Sequence, residues 1–232
     1  MAAAKQTFTG FPETTGKFFK ALAKNQSREW FAEHKAEYEE KWVEPMKALL
    51  ADVAVRIDDA YSYCELEEPK VFRIHRDVRF SKDKTPYKTS ISGMIGIKSG
   101  AAGMMEHTVA VYVQLGLEEG KMSEFAGAGH YMFSPEKLAK FRQAVVTQEK
   151  ELSKLLKSLE KKGFGVDAKE SLTRVPKGFD PEHPLAHILK MKGLVTRFPP
   201  LPAIGEAALV TWLVKHAKAV AELVTWTTYA TA

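Results

Sequence analysis

Apolar residues recur at helical spacing through the N-terminal quarter of the chain. A first helix is predicted over residues 12–24, where phenylalanine and leucine side chains share one face. A longer apolar series continues over residues 28–57, and Ser27 stands where a helix-capping side chain is expected. Pro45 lies inside this series, so it either kinks the second helix or divides it into two.

The middle of the chain alternates apolar and polar residues, as β-strands do. Over residues 71–80 the even positions are apolar and the odd positions are charged, except that Arg76 occupies an apolar position. A second strand is predicted over residues 90–98. Residues 107–117 and 121–129 form a predicted hairpin joined by a short glycine-containing turn.

Helical spacing returns in the C-terminal half. Ser134 can cap a helix whose first turn contains a proline, and the pattern then continues to residue 159 as one or two helices. A short helix is predicted over residues 184–192. An edge strand or extended segment is predicted over residues 193–202, and a final helix over residues 205–225.

This order of elements predicts an α+β fold. We expect one domain over residues 1–232, with an antiparallel or mixed central sheet on which N-terminal helices and a C-terminal helix pack. A chain of 232 residues, 45% of them hydrophobic, is long enough to bury such a core. Its apolar runs fall short of a signal peptide or a membrane span, so a cytoplasmic protein with no membrane partner is expected. The single cysteine excludes an internal disulfide.

The positive charge of the chain is concentrated in one segment. Seven lysines and arginines and two aspartates lie within residues 70–88, which accounts for the whole net charge of +5. Nucleic-acid-binding proteins that lack sequence specificity more often carry basic residues along much of the chain. A local excess fits a pocket for an anion at least as well.

The basic segment cannot be a straight strand if it holds one small anion. Arg73 and Arg79 would then lie about 20 Å apart, at roughly 3.3 Å per residue. Arg76 would also point into the apolar face, where an unpaired guanidinium is costly. We therefore predict a bend near Arg76 and Asp77, or a carboxylate partner for Arg76; an extended anion would need no bend.

Arginine and lysine are the natural ligands of phosphate and carboxylate groups. The predicted substrate-binding side chains are Arg73, Arg76, Arg79, Lys84, Tyr131 and Lys177. The predicted catalytic side chains are His75, Asp77, Tyr87 and His130. In this prediction Asp77 orients an arginine or acts as a base, Tyr87 donates a hydrogen bond, and one of the two histidines carries a proton.

The basic segment also resembles the signature of a known protein family. Residues 73–87, RIHRDVRFSKDKTPY, match the pattern R-x-x-R-D-x-R-F-x-x-x-K-x-x-Y. This pattern marks a widespread bacterial family of conserved proteins, catalogued as a domain of unknown function. The resemblance extends to REWF at residues 28–31, GHY at 129–131 and PKGFD at 176–180. It implies a shared fold and a shared site, but it names no substrate.

Three functions remain open at the level of sequence. The first is binding of a small anion, with the protein acting as an enzyme on a phosphorylated or carboxylated metabolite. The second is a nucleic-acid-binding module that uses the same basic face. The third is a structural or partner-binding protein in which the charges form internal salt bridges. The sequence identifies no cofactor, no metal site and no oligomeric state.

Overall fold

A six-stranded antiparallel sheet forms the centre of the structure. The structure is a computed structural model, and it describes residues 7–98, 108–168 and 170–232. The strands are β1 (Lys70–Val71), β2 (Ser90–Gly96), β3 (Thr108–Glu118), β4 (Lys121–His130), β5 (Gly165–Asp167) and β6 (Leu194–Arg197). Their order across the sheet is β1-β2-β3-β4-β6-β5, and every neighbouring pair is antiparallel. The predicted α+β fold is confirmed, with the antiparallel form of the sheet.

The helices surround one face of this sheet. They are α1 (Lys17–Lys24), α2 (Arg28–Tyr38), α3 (Glu44–Ile57), α4 (Pro135–Thr147), α5 (Glu149–Glu160), α6 (Ala186–Leu189) and α7 (Ala208–Ala230). Helices α3 and α7 pack against each other, α3 also against β2 and α7 against β3 and β4. The predicted packing of N-terminal and C-terminal helices on the sheet is therefore confirmed.

The helix boundaries follow local chemistry. The Ser27 hydroxyl accepts a hydrogen bond from the backbone N–H of Trp30 at 3.1 Å and so caps α2. A single π-helical turn over Glu39–Val43 separates α2 from α3, and Pro45 lies in the first turn of α3. The backbone keeps helical dihedral angles at Glu39, Val43 and Glu44, so the helix continues through this turn with irregular hydrogen bonding just before the proline, which has no N–H to donate. The first helix begins only at Lys17 and is shorter than predicted.

The predicted hairpin is formed by β3 and β4. Its two central residues, Glu119 and Gly120, have positive φ values of 50° and 77°. Two successive residues of this kind match the twist of the flanking strands. The predicted helical stretch after Ser134 is also present, as the two helices α4 and α5.

Two strand predictions were wrong. Residues 72–80 form no strand, because the chain leaves the sheet after Val71. The segment containing β6 is an interior strand and not an edge strand, because β5, which the sequence analysis did not identify, pairs with its outer side.

The two faces of the sheet differ in chemistry. The face toward the helices carries fully buried aliphatic side chains such as Ile95, Val113 and Leu115. On the opposite face, Tyr112 and Phe125 are partly exposed and Gln114 is exposed. We call this opposite side the open face of the sheet.

Candidate functional site

The basic segment forms an irregular hairpin that projects from the sheet, and we call residues 72–88 the signature hairpin. The backbone N–H of Arg76 donates to the carbonyl oxygen of Pro86 at 2.8 Å, and that of Lys88 donates to the carbonyl of Ile74 at 2.8 Å. His75 and Tyr87 face each other across the hairpin as an isolated bridge. The cationic side chains are thus brought close to one another by a turn back of the chain, not spread along a strand.

The base of the signature hairpin is anchored to α2. Tyr87 is 4% exposed, and its ring stacks on that of Phe31 with centroids 4.5 Å apart. The backbone N–H of Tyr87 donates to the Gln26 side-chain oxygen at 3.0 Å. Ile74 is buried beside them in the same core. The ring of Tyr87 therefore serves as a packing anchor for the hairpin.

The tip of the hairpin is held by its own side chains. The Arg76 guanidinium contacts both the Asp83 carboxylate and the Thr85 hydroxyl. Asp83 also accepts the backbone N–H of Thr85 at 2.9 Å, and these hydrogen bonds lower the pKa of Asp83 to about 2. The Lys84 ammonium donates to the carbonyl oxygen of Val78 at 2.9 Å. Arg76 therefore has the carboxylate partner that the sequence analysis considered.

A second ion pair joins Asp77 and Arg79. Arg79 Nη2 lies 2.7 Å from Asp77 Oδ2, and Arg79 Nε lies 3.0 Å from Asp77 Oδ1. Hydrogen bonds from the Arg79 side chain and backbone lower the pKa of Asp77 to about 2. A general base works best when its pKa is near the operating pH. The geometry therefore favours the arginine-orienting role of Asp77 over the basic one.

Several cations of the hairpin lack such a partner. Only Arg76 and Arg79 pair with a carboxylate, and Lys84 donates to a backbone carbonyl. Among the described residues, Arg73, Lys82 and Lys88 form neither an ion pair nor a side-chain hydrogen bond. Partial burial lowers the pKa of the Lys88 ammonium, and the nearby positive charge of Arg73 lowers it further. The hairpin thus presents two neighbouring positive charges, Arg73 and Lys88, that take no part in its ion pairs. Lys88 follows Tyr87 directly in the chain but is not among the site residues predicted from the sequence.

The apex of the hairpin also presents an aromatic ring. Phe80 is 95% exposed, which is unusual for so large an apolar side chain. The Arg79 guanidinium carbon lies 5.8 Å from the centre of this ring. The exposed ring and the neighbouring cations form one surface.

His130 is placed away from solvent. It is 0% exposed, its Nδ1 accepts from the Thr108 hydroxyl at 3.0 Å, and its Nε2–H donates to the Met132 carbonyl at 3.1 Å. Its ring stacks on Phe133 with centroids 4.3 Å apart. These contacts favour a packing role. His75, in contrast, is exposed at the base of the hairpin.

The structure does not bring all the predicted site residues together. The signature hairpin rejoins the sheet at Ser90. Ser90 pairs with Gly116 of β3, which pairs in turn with Ser123 of β4. His130 and Tyr131 lie seven or more residues further along, which is about 24 Å at roughly 3.4 Å per residue. Lys177 is exposed in a turn of the segment between β5, the edge strand opposite β1, and α6. The hairpin residues thus form one group, and the remaining predicted residues lie elsewhere.

Two findings concern candidate metal ligands and membrane-spanning helices among the described residues. In ranges 7–98, 108–168 and 170–232, no group of three or more histidine, cysteine, aspartate or glutamate side chains could hold a metal ion. No helix in the same ranges is long and apolar enough to cross a bilayer.

A cleft of about 440 Å³ lies between α5 and the β5–β6 edge, separate from the hairpin.

Comparison with known proteins gives one match. A family model described as "Conserved hypothetical protein (DUF2461)" matches residues 14–226. A search of curated proteins and a search of solved structures each found no match. The matched range includes the signature hairpin and all six strands.

Proposed function

The chain belongs to the DUF2461 family of conserved hypothetical proteins, and we propose that it binds a phosphate or carboxylate group at the signature hairpin through Arg73 and Lys88. A cytoplasmic location, as expected from the sequence, is part of this proposal. The ligand is a small anion or an anionic group of a larger molecule.

The observation that carries the proposal is the separation of the cations into two classes. Arg76 and Arg79 are held by Asp83 and Asp77, so they shape the loop and contribute little free positive charge. Partial burial lowers the pKa of Lys88, and repulsion from the charge of Arg73 lowers it further. A bound anion relieves that repulsion, which makes binding favourable.

A chemical step at this site would depend on His75. It is the exposed histidine of the hairpin, and its ring centroid lies 5.1 Å from that of Tyr87. Histidine is the usual proton carrier near neutral pH. We propose His75, and not the enclosed His130, as the proton carrier of any reaction on the bound anion.

Phosphate titration of single-charge variants tests the proposal. Inorganic phosphate and pyrophosphate are titrated by calorimetry into the wild type, Arg73→Gln and Lys88→Gln. Loss of a charge-assisted hydrogen bond is expected to weaken binding by about 10- to 100-fold. Lys150→Gln, which removes one exposed positive charge from α5, is the matched control and should bind like the wild type. Equal affinity in all four proteins would show that the anion is not held here.

A second candidate function is nucleic-acid binding at the same hairpin, and the exposure of Phe80 favours it. Unstacked bases bind aromatic side chains while lysines and arginines contact the phosphates. This function predicts that oligo(dT) binds, that Phe80→Ala weakens binding, and that affinity falls steeply with salt. A small-anion site predicts phosphate binding that is insensitive to Phe80→Ala.

A further inference from the structure

The cleft of about 440 Å³ between α5 and the β5–β6 edge has a largely apolar lining. Val166 of β5 and Phe164, just before that strand, line it on the side of the sheet. Leu156 of α5 and Leu185, which precedes α6, line it on the side of the helices. Small-molecule pockets commonly measure about 300–1,000 Å³ and have such apolar walls. The cleft can therefore enclose the apolar part of a small molecule.

One buried hydroxyl reaches this apolar interior. Thr196 of β6 pairs with Ala128 of β4, which is fully buried under the helices, so the Thr196 side chain points away from the open face. Thr196 is 2% exposed and lines the cleft. Its hydroxyl makes no hydrogen bond in the described residues, yet it is not among the fully enclosed unpartnered atoms, so it is accessible from the cleft. Because buried hydroxyls are nearly always hydrogen-bonded, the Thr196 hydroxyl indicates a partner inside the cleft.

Two opposite charges lie side by side at the rim of the cleft. Lys157 and Glu160 both line it and are both exposed on α5. Residues three apart on a helix are neighbours on its surface, but within residues 7–98, 108–168 and 170–232 these two form no ion pair with each other or with any other side chain. Glu149, the other carboxylate of the lining, already accepts from the Ser153 hydroxyl at 3.2 Å. His187 of α6 completes the titratable groups of the lining.

The rim therefore complements a ligand that carries both charges. A ligand with a carboxylate alone would satisfy Lys157 but would repel Glu160. A ligand with an ammonium alone would satisfy Glu160 but would repel Lys157. A zwitterion satisfies both, and an α-amino acid presents its ammonium and carboxylate on neighbouring atoms, as the two side chains of the rim require.

We propose that the cleft binds an α-amino acid whose aromatic side chain carries a hydrogen-bond donor, as in tyrosine or tryptophan. The ligand carboxylate contacts Lys157, and the ligand ammonium contacts Glu160. The ring enters the apolar interior, and its phenol O–H or indole N–H donates to the Thr196 hydroxyl. The site is distinct from the signature hairpin and does not depend on the function proposed for it.

Calorimetry with amino acids and with analogues that lack one group tests the proposal. L-Tyrosine and L-tryptophan are expected to bind the wild type. Three analogues should each bind about tenfold more weakly, because each loses one charged or polar contact. Tyramine lacks the carboxylate, 3-(4-hydroxyphenyl)propionate lacks the ammonium, and L-phenylalanine lacks the phenol hydroxyl.

Matching variants assign each ligand group to one side chain. Lys157→Gln should weaken the binding of tyrosine about tenfold but not that of tyramine, which has no carboxylate to lose contact. Glu160→Gln should likewise weaken the binding of tyrosine but not that of 3-(4-hydroxyphenyl)propionate. Thr196→Val keeps the shape of the side chain and should reduce the affinity for tyrosine to that for phenylalanine. Lys35→Gln and Glu33→Gln, which remove exposed charges from α2, are the matched controls and should bind like the wild type.

Four results would overturn the proposal. The first is the absence of binding by both tyrosine and tryptophan at millimolar concentration. The second is tyrosine binding that Lys157→Gln and Glu160→Gln leave unchanged; these exposed positions test the site even if Thr196→Val does not fold. The third is equal affinity for tyrosine and for both single-charge analogues. The fourth is tyrosine binding abolished by Arg73→Gln, which would place the amino acid at the signature hairpin.

Discussion

Replacing Tyr87 distinguishes an anchor of the signature hairpin from a ligand of the anion. The sequence predicts a hydroxyl that donates to substrate, whereas the ring is 4% exposed and stacked on Phe31. In the described part of the chain the Tyr87 hydroxyl makes no hydrogen bond, so its loss should leave the fold intact. Tyr87→Phe and Tyr87→Ala therefore separate the hydroxyl from the ring.

The magnitude follows from burial. An aromatic side chain that buries about 150–200 Å² contributes about 4–5 kcal/mol at roughly 25 cal/mol per Å². Truncation to alanine in a packed core costs about 3–5 kcal/mol, which agrees with this figure. We expect Tyr87→Ala to lower the free energy of unfolding by that amount, and Tyr87→Phe to change it by less than about 1 kcal/mol.

Urea unfolding followed by tryptophan fluorescence gives the midpoint and slope for each variant, and phosphate titration gives the affinity. Tyr63→Ala, at a site 75% exposed, is the control for loss of a tyrosine ring without loss of packing. An unchanged midpoint in Tyr87→Ala would refute the anchoring role. Normal stability with lost phosphate affinity in Tyr87→Phe would instead show that the hydroxyl contacts the ligand.

Two further predictions concern charge and backbone. The pKa of Asp77, about 2 beside Arg79, should rise toward about 3.9 in Arg79→Gln, measured by carbon-13 NMR titration. Because folding lowers the pKa of Asp77, its pairing with Arg79 stabilises the fold above about pH 4, and this stabilisation is lost as the pH falls toward 2. An unchanged pKa of Asp77 in Arg79→Gln would contradict the pairing. Gly129 has a φ of 122°, and a Cβ there would lie 2.1 Å from the Leu194 carbonyl oxygen. We therefore expect Gly129→Ala to lower the free energy of unfolding, measured in urea, by more than about 3 kcal/mol. Gly165→Ala, which meets nothing within 4 Å, is the control; equal losses in both would refute the steric reasoning.

Elements with short-range signals could be predicted closely. The caps at Ser27 and Ser134 and the irregular turn before Pro45 depend on a side chain and a backbone group only a few residues apart. The turn at Glu119 and Gly120 likewise needs only the conformation of its own two residues. Such interactions are encoded in adjacent positions, so the sequence suffices for them.

Elements that depend on distant partners were predicted poorly. The alternation over residues 71–80 indicated a strand, but the chain pairs with residues 86–88 and leaves the sheet. The β6 segment became interior because β5 pairs with its outer side. Tyr112, Phe125 and Arg197 lie on separate strands, and only the strand register brings them together.

By itself, the sequence determined the α+β class and the concentration of positive charge in one segment. Only the tertiary structure decided which of those charges are neutralised: Arg76 by Asp83 and Arg79 by Asp77, while Arg73 and Lys88 are among the cations that form no ion pair in the described residues. Class and local charge depend on the order of residue types along the chain. Neutralisation depends on separations of a few ångströms between side-chain atoms, because ion pairing weakens rapidly with distance in water. Those separations are fixed only when the hairpin folds back on itself.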